Sequence, residues 1–331
     1  MSRAWWTVPG PDGGILELRQ VAIPSPGPAQ VLVRVRAAGV NRGELIGRAA
    51  LRRDNPQARP APSGNEFAGD IVALGAGVQD WTVGARAMGR GAGGHADYMV
   101  VPTRALRRMP DALTFPAAAA LPNVVVTAHD ALVTNAALAA GESVLITAGS
   151  SGVGTVAIQI ARLRGATPVI ATTRSPGKAA ALRALGASDV IDTTQPTWPA
   201  AVRALRGQGV DVVMDQVGGH LFPGLLQAMA LRGRYVSVGR NDGPVSEIDL
   251  DLMARNRLQL IGVTFRTRTA EEALQCSERC AADLAGAIHQ ETLRPVLDRV
   301  FPLAELPAAH AYMLSNSQCG KIVLSTDDME D

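Results

Sequence analysis

A run of small residues, Ala148-Gly149-Ser150-Ser151-Gly152-Val153-Gly154, follows the apolar stretch SVLIT at 143–147 and opens an amphipathic helical pattern. A strand, a tight turn and a helix start in this order aim backbone N–H groups and the positive end of the helix dipole at a pyrophosphate. Side chains larger than serine would block that approach. The pattern G-x-S-x-x-G is one glycine short of the dinucleotide fingerprint, so its weight comes from the strand before it and the strands after it. The small residues would equally let the helix pack closely on a sheet, a role compatible with binding a nucleotide. A nucleophile elbow, G-x-S-x-G, fits at Gly149 and Ser151 and fails at Val153, which argues against a serine hydrolase.

The cofactor's ribose is read about 20 residues beyond such a turn, where an acidic residue would accept from the 2′-hydroxyl of NAD. Here the chain reads Thr172-Thr173-Arg174-Ser175 with Lys178 a turn later and no carboxylate. Hydroxyls and two cations suit a 2′-phosphate, because both basic side chains make charge-assisted hydrogen bonds to phosphate oxygens. NADPH is therefore the expected cofactor. Lys178 is one of only two lysines among 32 basic residues, which sets it apart from incidental surface charge.

These residues need a scaffold. Strand candidates run at 143–147, 168–172, 189–191, 210–215, 234–238 and 258–263, with helical patterns between them. Val153, Val156, Ala157, Ile160 and Ala161 give the helix after the turn one apolar face. The alternation predicts a doubly wound α/β domain with a parallel sheet. Residues 1 to about 125 differ: short β segments at 31–40, 69–78 and 98–102, separated by glycine- and proline-rich stretches, predict an irregular antiparallel barrel. After about 266 the pattern is a helix, a turn and the strand KIVLS, expected to return to the first domain and make it discontinuous.

At 331 residues, the chain has room for roughly two domains of about 150 residues each. A formal net charge of +2, with both signs interspersed, offers no footprint for nucleic acid or an anionic membrane. The three cysteines, Cys276, Cys280 and Cys319, have no disulfide framework spacing; Cys276 and Cys280, four apart in a helical stretch, would make a two-ligand clip with no third ligand nearby, and with no signal peptide evident a cytoplasmic location is expected.

Taken together, the segments resemble the quinone oxidoreductase branch of the medium-chain dehydrogenase/reductases over nearly the whole chain. They are AAGVNRGEL at 37–45, GNEFAGDIVALGAGV at 64–78, AAAALPNVVVTAHDAL at 117–132, ESVLITAGSSGVGTVAIQIAR at 142–162, RALGASDVID at 183–192, GVDVVMDQVGG at 209–219, GRYVSVG at 233–239 and GKIVL at 320–324. The resemblance implies a GroES-like domain of residues 1–126 and 265–331, a Rossmann domain of 127–264, and a nicotinamide in the cleft between them. It matches Thr127 to a nicotinamide contact, Asn41 to a residue facing the ribose and substrate, and Gly239 with Phe265 to loops under the ring. Gly152, Val153, Thr173, Arg174 and Lys178 match the positions holding the phosphates. Relatives are usually homodimers that pair edge strands, here LQLIGVTF at 258–265.

In the zinc alcohol dehydrogenases of this superfamily the metal ligands are two cysteines and a histidine, and the matching positions are Asn41, Asn65 and Asn123. Neutral amides are poor zinc donors, and Glu44 and Glu66 beside them do not complete a tetrahedral set, so no metal is expected. Without a Lewis acid, reactions needing mainly a hydride remain: reduction of a quinone or another α,β-unsaturated carbonyl, with Asn41, Asn65 and Asn123 as candidate donors to the developing oxyanion. The alternatives are an enoyl or enone reductase and a non-catalytic NADPH-binding protein. Leu45 stands where many relatives carry a tyrosine, and His129 and Tyr98 are weak proton-donor candidates, which leaves water as the default.

Overall fold

The computed structural model describes residues 1–327, and the chain divides into two compact units: Met1–Asn123 with the segment from Pro295 onward, and Val124–Arg294.

The first unit holds β1 (Ser2–Val8), β2 (Ile15–Val21), β3 (Gln30–Val40), β4 (Ala61–Pro62), β5 (Glu66–Leu74), β6 (Arg86–Arg90), β7 (Tyr98–Pro102) and β8 (Leu106–Arg108). The C-terminal segment adds β15 (Leu297–Pro302) and β16 (Lys321–Ser325). β1, β2 and β4 form a small antiparallel sheet; the rest form a second sheet in the order β15-β16-β3-β5-β6-β8, with β7 also paired to β3. β3 organises this sheet because its alternate residues Val31, Val33 and Val35 are wholly buried, packing against Phe67, Ile71, Ala87, Met99 and Val101. The strand expected at 69–78 lies at Glu66–Leu74. It stops there because the chain turns against a neighbouring loop: a Cβ on Gly75 would lie 1.8 Å from the Gly27 carbonyl oxygen.

The second unit contains β9 (Val144–Ile146), β10 (Val169–Thr173), β11 (Asp189–Asp192), β12 (Val210–Asp215), β13 (Met229–Ser237) and β14 (Gln259–Gly262), one for each expected strand. All pairings are parallel, in the order β11-β10-β9-β12-β13-β14. The order reverses between β9 and β12, and ligands of such sheets bind beyond the carboxyl ends of the strands at this switch point. β9 and most of β12 are buried, consistent with their continuous apolar runs.

Residues 265–294, expected in the first domain, belong to the second unit. The helix Ala270–His289 packs there through buried Cys276, Cys280 and Leu284. Two polar anchors fix it: Arg268 donates to the buried Asp130 carboxylate at 2.7 Å, and Asp283 pairs with His129 at 2.7 Å. Its amphipathic pattern specified a buried face without specifying which unit supplies the partner. The stretch Phe115–Asn135 is long and apolar enough to cross a membrane by composition alone, yet 67% of its most apolar 18 residues are buried in the fold.

Candidate active site

The glycine-rich turn is built as the switch point requires. Ala148 takes a left-handed φ of 48°, and Gly149 N–H donates to Thr172 O at 2.8 Å, tying the turn to the end of β10. Ser151 caps the helix Gly152–Leu163: its Oγ accepts from Gly154 N–H at 3.0 Å and donates to Gln216 Oε1 at 3.0 Å. Ser151 thus stiffens the turn. Gly154 cannot be larger, because a Cβ there would lie 2.4 Å from Ala148 O. Ser150, Gly152 and Val153 are half-buried at the helix start, where the first N–H groups have no intrahelical acceptor and could hold a pyrophosphate.

The floor of the switch point is fixed by Asp215 at the end of β12. This fully buried carboxylate accepts from Thr147 Oγ1 (2.7 Å), Tyr235 Oη (2.6 Å), and the N–H groups of Val217 and Gly218 (2.9 Å each). Burial, followed by the Asp215 charge, pushes the Tyr235 hydroxyl far above its ordinary pKa, so it remains a donor. Gly239 follows β13, and a Cβ on it would lie 2.3 Å from Gln216 O. Thr173 Oγ1 accepts from Ser175 N–H at 3.0 Å, leaving Arg174 exposed and Lys178 half-buried on the next turn. Thr127 is half-buried on the helix Pro122–His129, and Phe265, also half-buried, carries the Arg268 guanidinium 4.5 Å above its ring.

In the first unit the three candidate asparagines meet. Asn41 precedes the helix Arg42–Ala49, Asn65 precedes β5, and Asn123 is the second residue of the helix Pro122–His129. The Lys321 ammonium on β16 donates to Glu66 Oε1 (2.6 Å), Asn41 Oδ1 (2.8 Å) and Val40 O (2.8 Å). Both members of this ion pair are buried. Asn41 Oδ1 also accepts from Asn123 Nδ2 at 2.9 Å, while Asn41 Nδ2 donates to Glu66 Oε1 at 2.7 Å and Asn65 Oδ1 at 2.9 Å. Glu66 Oε2 accepts from Asn123 N–H at 2.8 Å. Gly39 makes room for this carboxylate: a Cβ there would lie 2.3 Å from Glu66 Oε1.

Glu44 extends the cluster, accepting from Asn41 N–H at 3.2 Å, with His95 Nε2 at 3.9 Å and His310 Nε2 at 3.7 Å. Burial pushes the Glu44 carboxyl up, but His95, His310, Lys321 and the Asn41 N–H together outweigh it and hold the pKa below its ordinary value. His95 is lowered, chiefly by burial, and so is neutral at neutral pH. Its Nε2 donates to Gly39 O at 3.2 Å, which leaves Nδ1 to accept from Ser63 Oγ at 3.0 Å.

The donor set does not suit zinc. All three ligand positions hold neutral amides, and the central one presents its oxygen to an ammonium that would repel a second cation at that place. The donor role expected for Asn41 meets a similar obstacle, since both hydrogens of its Nδ2 have acceptors inside the protein. Leu45 joins the apolar cluster of Trp5, Val40 and Leu306, which accounts for an aliphatic residue there. His129 is buried on Asp283 and is not available at a helix surface. Tyr98 lines a separate depression with Arg3, Arg34 and Asp97. Lys321, His95 and His310 escaped the reading of the sequence; lysine's rarity marked Lys321 as strongly as Lys178.

Comparison with known proteins adds to this geometry. Residues 27–111 match the alcohol dehydrogenase GroES-like domain and residues 152–279 the zinc-binding dehydrogenase family. The human quinone oxidoreductase is 30% identical over 95% of this chain and 94% of its own length. A mycobacterial protein solved in complex with NADPH superposes with a TM-score of 0.86 at 28% identity, covering 98% of this chain and 100% of that one. The CurK enoyl reductase superposes with a TM-score of 0.86 at 26% identity, over 98% and 99%. The chain spans only 5% of the length of one curated relative, the polyketide synthase GfsB of Streptomyces halstedii, at 35% identity over 89% of this chain.

Proposed function

The chain belongs to the zinc-free, quinone oxidoreductase-like family of medium-chain dehydrogenase/reductases, and on that premise we propose that it reduces a quinone or another α,β-unsaturated carbonyl with NADPH. The observation that carries the reading is the environment of Asn41. A position that would hold a metal ligand is a neutral amide 2.8 Å from an ammonium, so alkoxide stabilisation by a Lewis acid has no place to occur. What remains is chemistry in which charge spreads over a conjugated carbonyl and amide donors stabilise it.

NADPH, when bound, supplies the hydride and is oxidised to NADP⁺. The chain's own groups bind and orient. Ser150, Gly152 and Val153 would receive the pyrophosphate through backbone N–H groups in a turn held by the internal bonds of Gly149, Ser151 and Gly154, while Thr173, Arg174 and Lys178 would receive the 2′-phosphate. Thr127, Gly239 and Phe265 border the nicotinamide. The electrophile gains H⁻ at carbon or oxygen, its remaining carbonyl oxygen becomes anionic, and one proton from water completes a hydroquinone or a saturated ketone. The similarity to an enoyl reductase supports the alkene as a second substrate class.

A steady-state panel of quinones, short enones and enoyl thioesters, each with NADPH and with NADH, tests this reading. Turnover of at least one class with preference for NADPH is the expected result. Tight NADPH binding without oxidation by any of them would instead make the chain a binding protein.

A further inference from the structure

The hydrogen-bond directions around Asn41 follow from the charges of its two ionised partners. An ammonium has only donors and an ionised carboxylate only acceptors. The Asn41 atom 2.8 Å from Lys321 Nζ must therefore be the oxygen, and the atom 2.7 Å from Glu66 Oε1 must be the nitrogen. Asn41 Nδ2 then donates its other hydrogen at 2.9 Å, so the facing atom of Asn65 must be its oxygen. It follows that Asn65 Nδ2 points out of the cluster. Asn65 is half-buried, and none of the described residues accepts from this nitrogen. Asn41 Nδ2 and Asn123 Nδ2 by contrast donate within the cluster.

We infer that Asn65 is the residue that donates to the developing oxyanion, and that Lys321, acting through Asn41, fixes the orientation of its carboxamide. The inference rests on the reductase reading above and names a residue within it. Lys321 is a positioning residue, since it touches neither cofactor nor substrate in this scheme. The polar chain runs from the ammonium to Asn41 Oδ1, from Asn41 Nδ2 to Asn65 Oδ1, and from Asn65 Nδ2 outward. Each step polarises the next, so the outward N–H is a stronger donor than an isolated amide. It is also preorganised, because flipping Asn65 would set two nitrogens against each other. In the reaction, hydride adds to the electrophile, the electron pair of its π bond moves to the carbonyl oxygen, and Asn65 donates a hydrogen bond to that oxygen until water protonates the product.

Asn65→Asp is the direct test, because it keeps an oxygen for Asn41 and replaces the outward donor by an anionic acceptor. Loss of one oxyanion donor lowers kcat by roughly 100- to 1000-fold, while NADPH affinity, read from the fluorescence of the bound cofactor, is unchanged. The Lys321→Met/Glu66→Gln double variant leaves no unpaired buried charge and frees the Asn41 amide to turn. It should lower kcat with NADPH affinity unchanged, and Lys321→Arg should restore much of it. Wild-type kcat in Asn65→Asp, or in the double variant, would overturn the inference alone. A wild-type protein inactive on every quinone and enone would instead overturn the reductase reading beneath it.

Discussion

Lys321 and Glu66, separated by 255 residues in sequence, meet at 2.6 Å in the interior of the first unit, and Asn41 bonds to both. Breaking such a pair by removing one partner leaves a buried charge uncompensated, which costs about 3–5 kcal/mol. Lys321→Met should therefore lower the denaturation midpoint substantially. Adding Glu66→Gln should recover part of the loss, so that the double variant is more stable than Lys321→Met alone. Thermal melts of the set check this; additive losses would show that the two groups are not coupled.

Cofactor preference offers a second check. Arg174 is exposed at the end of β10, where a 2′-phosphate is expected. Removing one charge-assisted hydrogen bond typically costs about 1.5–3 kcal/mol, or roughly 10- to 150-fold. Arg174→Ala should raise KM for NADPH by about that factor and leave KM for NADH nearly unchanged. An equal effect on both cofactors would place the 2′-phosphate elsewhere.

The turn itself tolerates little. Gly154→Ala puts a methyl against the Ala148 carbonyl at a distance that only backbone movement relieves. Overpacking of this kind costs about 1–3 kcal/mol, which corresponds to several °C in a unit of this size. NADPH binding should weaken along with stability, as read by titration. A variant that binds NADPH like the wild type would mean that the turn does not form the phosphate cradle.

Stability should fall with acid. The pKa of His95 is lowered in the folded chain, so between its ordinary value of about 6.5 and its folded value the unfolded chain binds the extra proton. Its contribution is complete above about pH 6.5 and declines as pH falls below that. Glu44, whose pKa is also lowered, adds a second loss below its ordinary value of about 4.5. Urea titrations between about pH 7.5 and 5.5 should give a falling midpoint, and His95→Gln should flatten the slope; an unchanged slope would assign the effect to other groups.

The second unit was the more legible half. Its central strands β9, β10 and β12 are largely buried apolar runs whose lengths and spacing survive in one dimension, and its small-residue turn must follow β9 directly. The cluster around Asn41 was legible only in part. The asparagines lie in recognisable segments, but their partners come from β16 and from His95 and His310, and a lysine in KIVLS looks the same in sequence whether it faces water or a buried carboxylate. The compact units divide after Arg294, not at the expected 264, and the physical reason is related: the partner of the helix Ala270–His289 is set by tertiary contacts such as Asp130 with Arg268. Asn41 illustrates the limit most clearly: its residue type fitted a donor to substrate, and only the positions of Lys321 and Glu66 reveal that its hydrogens are already used.

The most direct test of the account is single-turnover NADPH oxidation by a quinone in protein stripped of divalent metal with a chelator. Consumption at the rate of untreated protein is the predicted result. Activity that disappears on stripping and returns with zinc would contradict it.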